Sequence, residues 1–181
     1  MAAPNVRNDN RIPNEDSQDL EFNDTNLFRL NRYPGYDRIE GGQRLTYGLR
    51  AGVYGVETGR FNAFLGESYR LGGSNSFAEG SGLETTRSDY VGRVELAPAT
   101  WLNTTYTFRA RESDLKLRQQ SAGVWAGVPM LWTSIDYNTL DPIVDSTGAT
   151  VAAQDFVTVG VGSAVTRYWT LAVSQSQRFS P

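Results

Sequence analysis

The chain has 181 residues, a formal net charge of −3, 39% hydrophobic residues, 18 glycines, and 8 Phe, 9 Tyr and 4 Trp. That length fits one domain or a piece of one, and the acidic balance argues against a general nucleic-acid binder, which presents a basic face. Cysteine and histidine are both absent, which excludes disulfides, thiolate nucleophiles, Cys/His zinc sites, Ser-His-Asp triads and imidazole acid–base chemistry.

Residues 1–41 hold eight acids against five arginines, the whole of the net charge, whereas residues 42–181 balance at twelve against twelve. The first segment is rich in Asn, Asp and Pro and shows no sustained period, so 1–41 reads as a polar acidic loop. Its opening lacks the apolar stretch of a secretory signal, which leaves open a fragment whose signal lies upstream. The acids Glu15, Asp16, Asp19, Glu21 and Asp24 lack the spacing of a calcium loop and read as a solvated face. Pro34-Gly35 predicts a turn with glycine at positive φ, and Asp37 and Arg38 are candidates to brace it.

From Gly42 the period becomes two, and 42–181 reads as antiparallel strands. Leu45, Tyr47, Leu49, Ala51 and Val53 fall on one face, and Arg44, Thr46, Gly48, Arg50 and Gly52 on the other. Successive side chains of a strand point to opposite faces, whereas a helix would mix these sets. The same alternation predicts strands around Phe61–Leu71, Asp89–Leu96 and Leu102–Arg111, a weaker one at 114–126, then Leu131–Asn138, Val157–Val165 and Trp169–Ser174. These are eight strands, mostly longer than the soluble mode of about 5–6 residues. Short connections near 57–59, 98–100, 127–129 and 166–168 alternate with longer ones at 72–87 and 140–153, with a tight exception near Arg111–Asp114. No helix is predicted.

Alternation alone leaves three architectures open: a soluble β-sandwich, a lipocalin-like barrel and an outer-membrane barrel. Strand length matches tilted membrane-spanning strands, and short turns at one end with longer loops at the other match outer-membrane asymmetry. The polar row holds Arg44, Arg50, Arg70, Arg93, Glu95, Arg109, Arg111 and Asp136, a set suited to a wet lumen. These are the lumen-facing candidates. Sixteen of the 17 cations are arginine, Lys116 being the exception. The arginines either contact anionic groups of a passing substrate or pair with Glu95, Asp136 and other acids, and pairing is preferred. Phe61, Tyr69, Trp101, Trp125, Tyr168 and Trp169 sit near strand ends, which fits either a membrane girdle or plain β-propensity. Glu67 breaks the apolar row, so its strand either contains a bulge or places Glu67 near an interface. The expected fold is an all-β, antiparallel transmembrane β-barrel segment, an open sheet rather than a closed small barrel.

The run from Arg11 to Gly42, leading into Arg44-Leu-Thr-Tyr-Gly-Leu, resembles the lipopolysaccharide (LPS)-assembly outer-membrane protein family LptD (OstA) in its alphaproteobacterial form. The telling pieces are Asn26-Leu-Phe, then Arg32-Tyr-Pro-Gly-Tyr-Asp-Arg-Ile-Glu, then Tyr47-Gly48. The family-motif residues are thus Asn26, Phe28, Arg32, Pro34, Gly35, Asp37, Arg38 and Glu40. The resemblance implies a segment of a large barrel wall in the cell outer membrane and a non-enzymatic role inserting LPS into the outer leaflet. It implies LPS, outer-membrane lipids, the plug lipoprotein LptE and periplasmic LPS-transport components as partners, with no cofactor and no nucleic acid. It places 1–41 as an extracellular loop. A small outer-membrane barrel or porin fragment and a soluble lipocalin-like binding protein are the alternatives.

Overall fold

The computed structural model describes residues 8, 22–55, 59–140, 142–144 and 150–179. The alternating stretches form ten strands: β1 (Gln43–Tyr54), β2 (Arg60–Gly72), β3 (Tyr90–Ala99), β4 (Leu102–Ala110), β5 (Leu117–Val128), β6 (Leu131–Leu140), β7 (Ile143–Val144), β8 (Thr150–Val151), β9 (Gln154–Ala164) and β10 (Thr170–Phe179). Eight of them make one open antiparallel sheet in the order β1-β2-β3-β4-β5-β6-β9-β10. The expected all-β open sheet of eight strands is what forms, with no helix among the described residues. The weak fifth strand runs over Leu117–Val128, and the long connection after β6 carries its own two-stranded hairpin, β7–β8, which alternation did not reveal.

Because every neighbour is antiparallel, the connections sort to two ends. The β1–β2, β3–β4, β5–β6 and β9–β10 junctions lie at one end, and the start of β1 and the β2–β3, β4–β5 and β6–β9 junctions lie at the other. The register gives the two faces consistent identities across strands. Leu49 opposes Leu65, Phe61 opposes Leu96, Val94 opposes Tyr106, Val124 opposes Ile135, and Ile135 opposes Val159. This apolar face is uncovered: Leu49 is 75% exposed, Leu131 62% and Val173 69%. Water would make that exposure costly, at about 25 cal/mol per Å² of apolar surface.

The buried core lies on the other face. Phe22, Leu27, Leu83 and Val91 are sealed, with Phe64 and Phe77 packed against them. Phe22 and Leu27 come from the segment before β1, Leu83 from the 73–89 connection, and Val91 and Phe64 from the sheet itself. Loop residues therefore form a lid on the polar face of β1–β4. Gly66 has no Cβ because Leu27 occupies that space.

Of the two readings open for Trp125, girdle or plain β-propensity, its position does not fit the girdle. It pairs with Asn103 and with Ser134, which puts it on the polar face rather than among the outward aromatics. Gly35 also differs from expectation. It lies in a bend over residues 33–37, but the positive-φ glycines of the described chain do not include it.

Candidate functional site: a polar face in two halves

At the loop end of the polar face, arginines from the strands meet acids from the loops. Arg44, 5% exposed on β1, lies 2.9 Å from Glu40 and donates to the carbonyls of Arg29 (2.5 Å) and Leu30 (2.8 Å). Arg32 grips the same carboxylate through two nitrogens, its Nε at 2.8 Å from Glu40 Oε2. Its guanidinium also lies 5.6 Å from the ring centres of Phe22 and Phe77. A planar guanidinium can hold a carboxylate and lie near rings at once, which an ammonium cannot match. Tyr33 stacks on Phe77 at 4.6 Å and shares a 2.8 Å hydrogen bond with Ser76, and burial raises its phenol pKa.

Further across, Arg93 Nε donates to Asp24 at 2.7 Å and its Nη1 lies 3.5 Å from Glu95. Arg70 donates to the carbonyl of Leu83 at 2.9 Å. Arg109 is 3% exposed and donates to the carbonyl of Gly80 at 3.0 Å. Asp89 lies between Arg109 and Arg118, 4.0 and 3.9 Å from their Nε atoms. These are long ion pairs, and burial raises the Asp89 pKa against the pull of both arginines. Gly82, at φ +79°, is the point where the loop passes over this trio; a Cβ there would stand 2.8 Å from Asp89 Oδ2.

The candidate residues thus fall into groups. Arg44, Arg70, Arg93, Glu95 and Arg109 come together under the loops, joined by Arg32 and Glu40 of the motif segment. Arg50 lies apart, exposed, its guanidinium 5.8 Å from the Phe64 ring. Arg111 is beyond the end of β4 and pairs with Asp114 at 3.3 Å. Within the motif, Asn26 accepts from the Asn23 amide at 3.0 Å, and Phe28 tilts against Phe64 at 6.2 Å. Arg38 offers its carbonyl to Asn31 at 3.1 Å, while Pro34 and Asp37 are exposed in the bend. Of the acidic cluster, Asp24 is the Arg93 partner, and Glu15, Asp16, Asp19 and Glu21 lie outside the described residues. No group of three or more His, Cys, Asp or Glu able to hold a metal occurs among the described residues.

A family model described as LptD, LPS transport system D, matches residues 1–169. The chain belongs to the LptD family. Membership assigns it a role in LPS transport at the outer membrane, in a family that moves and assembles a lipid rather than transforming it. No curated protein and no solved structure matches. No described helix is long and apolar enough to cross a membrane, which has no bearing on crossing by strands.

The other half of the polar face, toward the short turns, has no loop over it among the described residues. A cleft of about 760 Å³ opens there, lined among others by Asn103, Thr105, Gly123, Trp125, Ser134 and Asp136. Asp136 pairs across the backbone with Gly123 and Thr158, and its carboxylate lies over Gly123, where a Cβ would come within 2.8 Å. Asp136 therefore sits on the expected face but has no arginine partner among the described residues. Alternation carries no signal for Arg118, Asp89 or Gly82 as parts of this site, nor for Arg87 as the partner of Glu67. Parity within 117–128 was the one available signal for Trp125, since Ala122, Val124 and Ala126 fall on the other face from it.

Proposed function

We propose that this LptD-family chain is a stretch of barrel wall whose apolar face meets acyl chains and whose arginine-bearing face lines an aqueous lumen. In that reading the wall takes part, without catalysis, in placing LPS in the outer leaflet. The acyl chains pass to the lipid side and the saccharide stays on the wet side. The segment 22–41 and the 73–89 connection then close the lumen at the extracellular end. LPS and outer-membrane lipids are the molecules handled, and the plug lipoprotein LptE and the periplasmic LPS-transport components are the proposed protein partners. One observation carries the reading: the register aligns an exposed apolar row across the sheet, while buried guanidinium–carboxylate pairs occupy the reverse face. In water that arrangement is inside-out, and in a bilayer it is the ordinary one.

The absence of native cysteine makes the test direct. Single cysteines at Leu49 and Val161, and at Thr105 and Thr158, are labelled with an environment-sensitive fluorophore in outer membranes of a Gram-negative host. The first two are expected to be quenched by lipid-borne nitroxides and the last two by aqueous iodide. The reverse pattern, or iodide quenching at all four, overturns the wall reading. A photo-crosslinker at Thr105 is expected to capture LPS in cells, and its failure to do so while the quenching pattern holds would remove the transport role and leave a plain barrel wall.

A further inference from the structure

The two halves of the polar face differ in what their polar groups are doing. Under the loops, carboxylates and guanidiniums satisfy one another: Glu40 with Arg32 and Arg44, Asp24 with Arg93. In the uncovered half, the side chains of Asn103, Thr105, Ser134, Asp136 and Trp125 form no hydrogen bond or ion pair with any described residue. They converge on one cleft, and its volume is within the usual range of about 300–1,000 Å³ for ligand pockets.

The geometry points to a saccharide-binding cleft on β4–β6, with Trp125 as the stacking platform and Asp136 as the hydroxyl acceptor. Register sets the layout. Trp125 stands directly opposite Asn103 on one side and Ser134 on the other, and Asp136 is the next residue of β6 on the same face. Same-face diagonal neighbours on adjacent strands lie about 7–8 Å apart, a span that one sugar ring fills. A pyranose has an apolar C–H face, which suits an indole, and a rim of hydroxyls. An ionised carboxylate is acceptor-only, so Asp136 can take two vicinal hydroxyls, while Asn103, Thr105 and Ser134 both donate and accept. Gly123 supplies the room, because a side chain there would meet the Asp136 carboxylate. With Arg60 among the lining residues, the described lining carries one charge of each sign. It is therefore built for a neutral, hydroxyl-rich ring rather than for a phosphate, which the carboxylate would repel. The saccharide could come from LPS or from a free glycan, and only the LPS source rests on the proposed function.

The test uses the full chain, folded in detergent micelles, and two probes: maltotriose, and LPS oligosaccharide freed of acyl chains and phosphate. Binding is read by saturation-transfer NMR and calorimetry. Wild-type protein is expected to bind at least one probe, Trp125→Ala to weaken it by about tenfold, Trp125→Phe to retain most of it, and Asp136→Asn to weaken it several-fold. Leu171→Ala, on the apolar face, is expected to leave binding unchanged. Binding of the LPS oligosaccharide in preference to maltotriose assigns the source, and equal binding of both supports a general saccharide cleft. No binding of either probe by folded wild-type protein, or equal binding by wild type, Trp125→Ala and Asp136→Asn, overturns the proposal. Failure of the wall reading is seen separately, as iodide quenching at Leu49 and Val161 with saccharide binding intact.

Discussion

Glu67 and Arg87 form an ion pair on the apolar face, with Arg87 Nε 2.8 Å from Glu67 Oε1. Alternation along β2 points Glu67 outward with Leu65 and Tyr69, and Tyr47, opposite it on β1, donates to its other oxygen at 2.8 Å. Parity along β3 would send Arg87 to the reverse face. A bulge changes that: Gly66 pairs with Val91, but Tyr69 pairs with Arg87, so three steps on one side match four on the other. The extra residue rotates Arg87 onto the face of Glu67. Glu67 is left 4% exposed and its partner 44% exposed, with Glu112 3.3 Å from Arg87 on the far side. The hydrogen bond to Glu67 raises the Arg87 pKa further above its ordinary range.

Removing one member of this pair should cost more than removing both. Arg87→Ala leaves a carboxylate shut in against an apolar face, whereas Arg87→Ala with Glu67→Gln leaves a neutral amide still bonded to Tyr47. Urea midpoints in detergent are expected to fall in the order wild type, double variant, Arg87→Ala. A double variant no more stable than Arg87→Ala would show that Glu67 carries no uncompensated charge.

Glu40 holds two guanidiniums, those of Arg32 and Arg44, all with side chains at most 6% exposed. Glu40→Gln therefore strands two buried cations, and breaking a buried pair costs about 3–5 kcal/mol. The loss should appear as faster proteolysis within 22–41 and a lower unfolding midpoint, with the sheet's circular-dichroism signal kept. Arg44→Lys should rescue little, because one ammonium cannot reach Glu40 and the carbonyls of Arg29 and Leu30 in the same geometry. Cleavage unchanged in Glu40→Gln would mean that the apolar cluster alone docks the loop.

Most of the sheet was legible in the sequence, and most of the lid was not. Period two is a local property, so Leu45 to Val53 or Leu131 to Tyr137 identify a strand and its faces without any partner. The lid depends on pairs far apart in sequence. Asp24 and Arg93 are 69 residues apart, and nothing local in either indicates the other. Arg87 was hidden for a second reason, since a bulge reverses the parity on which strand reading relies. Trp125 carried two signals: nearness to a strand end left a girdle open, while the parity of Ala122, Val124 and Ala126 assigns it to the reverse face.

The loop above Asp89 should tighten as pH falls. Burial raises the Asp89 pKa above the ordinary carboxylate value, so the folded state holds this proton more strongly than the unfolded chain does. Its contribution to stability is then fullest below the unfolded carboxylate pKa, and is lost as pH rises through the raised folded value. Hydrogen exchange of the Asp89 amide, which donates to Gly82 at 2.8 Å, reports this directly. Opening free energies derived from it should fall over that window in wild type, and fall less in Asp89→Asn. Identical pH dependence in the two proteins would assign the effect to another group.

Gly82→Ala tests the same junction sterically. At φ +79° an L-residue is strained, and the added methyl would press on Asp89 Oδ2 at 2.8 Å and Arg109 Nη1 at 2.9 Å. Strain of that kind costs about 1–3 kcal/mol. The expected signature is loss of protection confined to 73–89, with β5, β6 and β9 unaffected. Protection lost across the whole sheet would instead mean that the loop and the strands unfold as one unit.

The two faces should respond oppositely to one and the same substitution. Ile135, 48% exposed at the middle of β6, lies between Val124 and Val159 on the apolar row. An arginine at the bilayer midplane of a barrel's lipid face costs about 2–4 kcal/mol. Ile135→Arg should accordingly lower the unfolding free energy in lipid vesicles by that order and slow insertion. Thr158→Arg places the same side chain on the reverse face, directly across from the carboxylate of Asp136. There it gains a counter-charge, and stability should hold or rise slightly, while the saccharide cleft loses its acceptor. Equal damage from both substitutions would contradict the assignment of one face to acyl chains and the other to water.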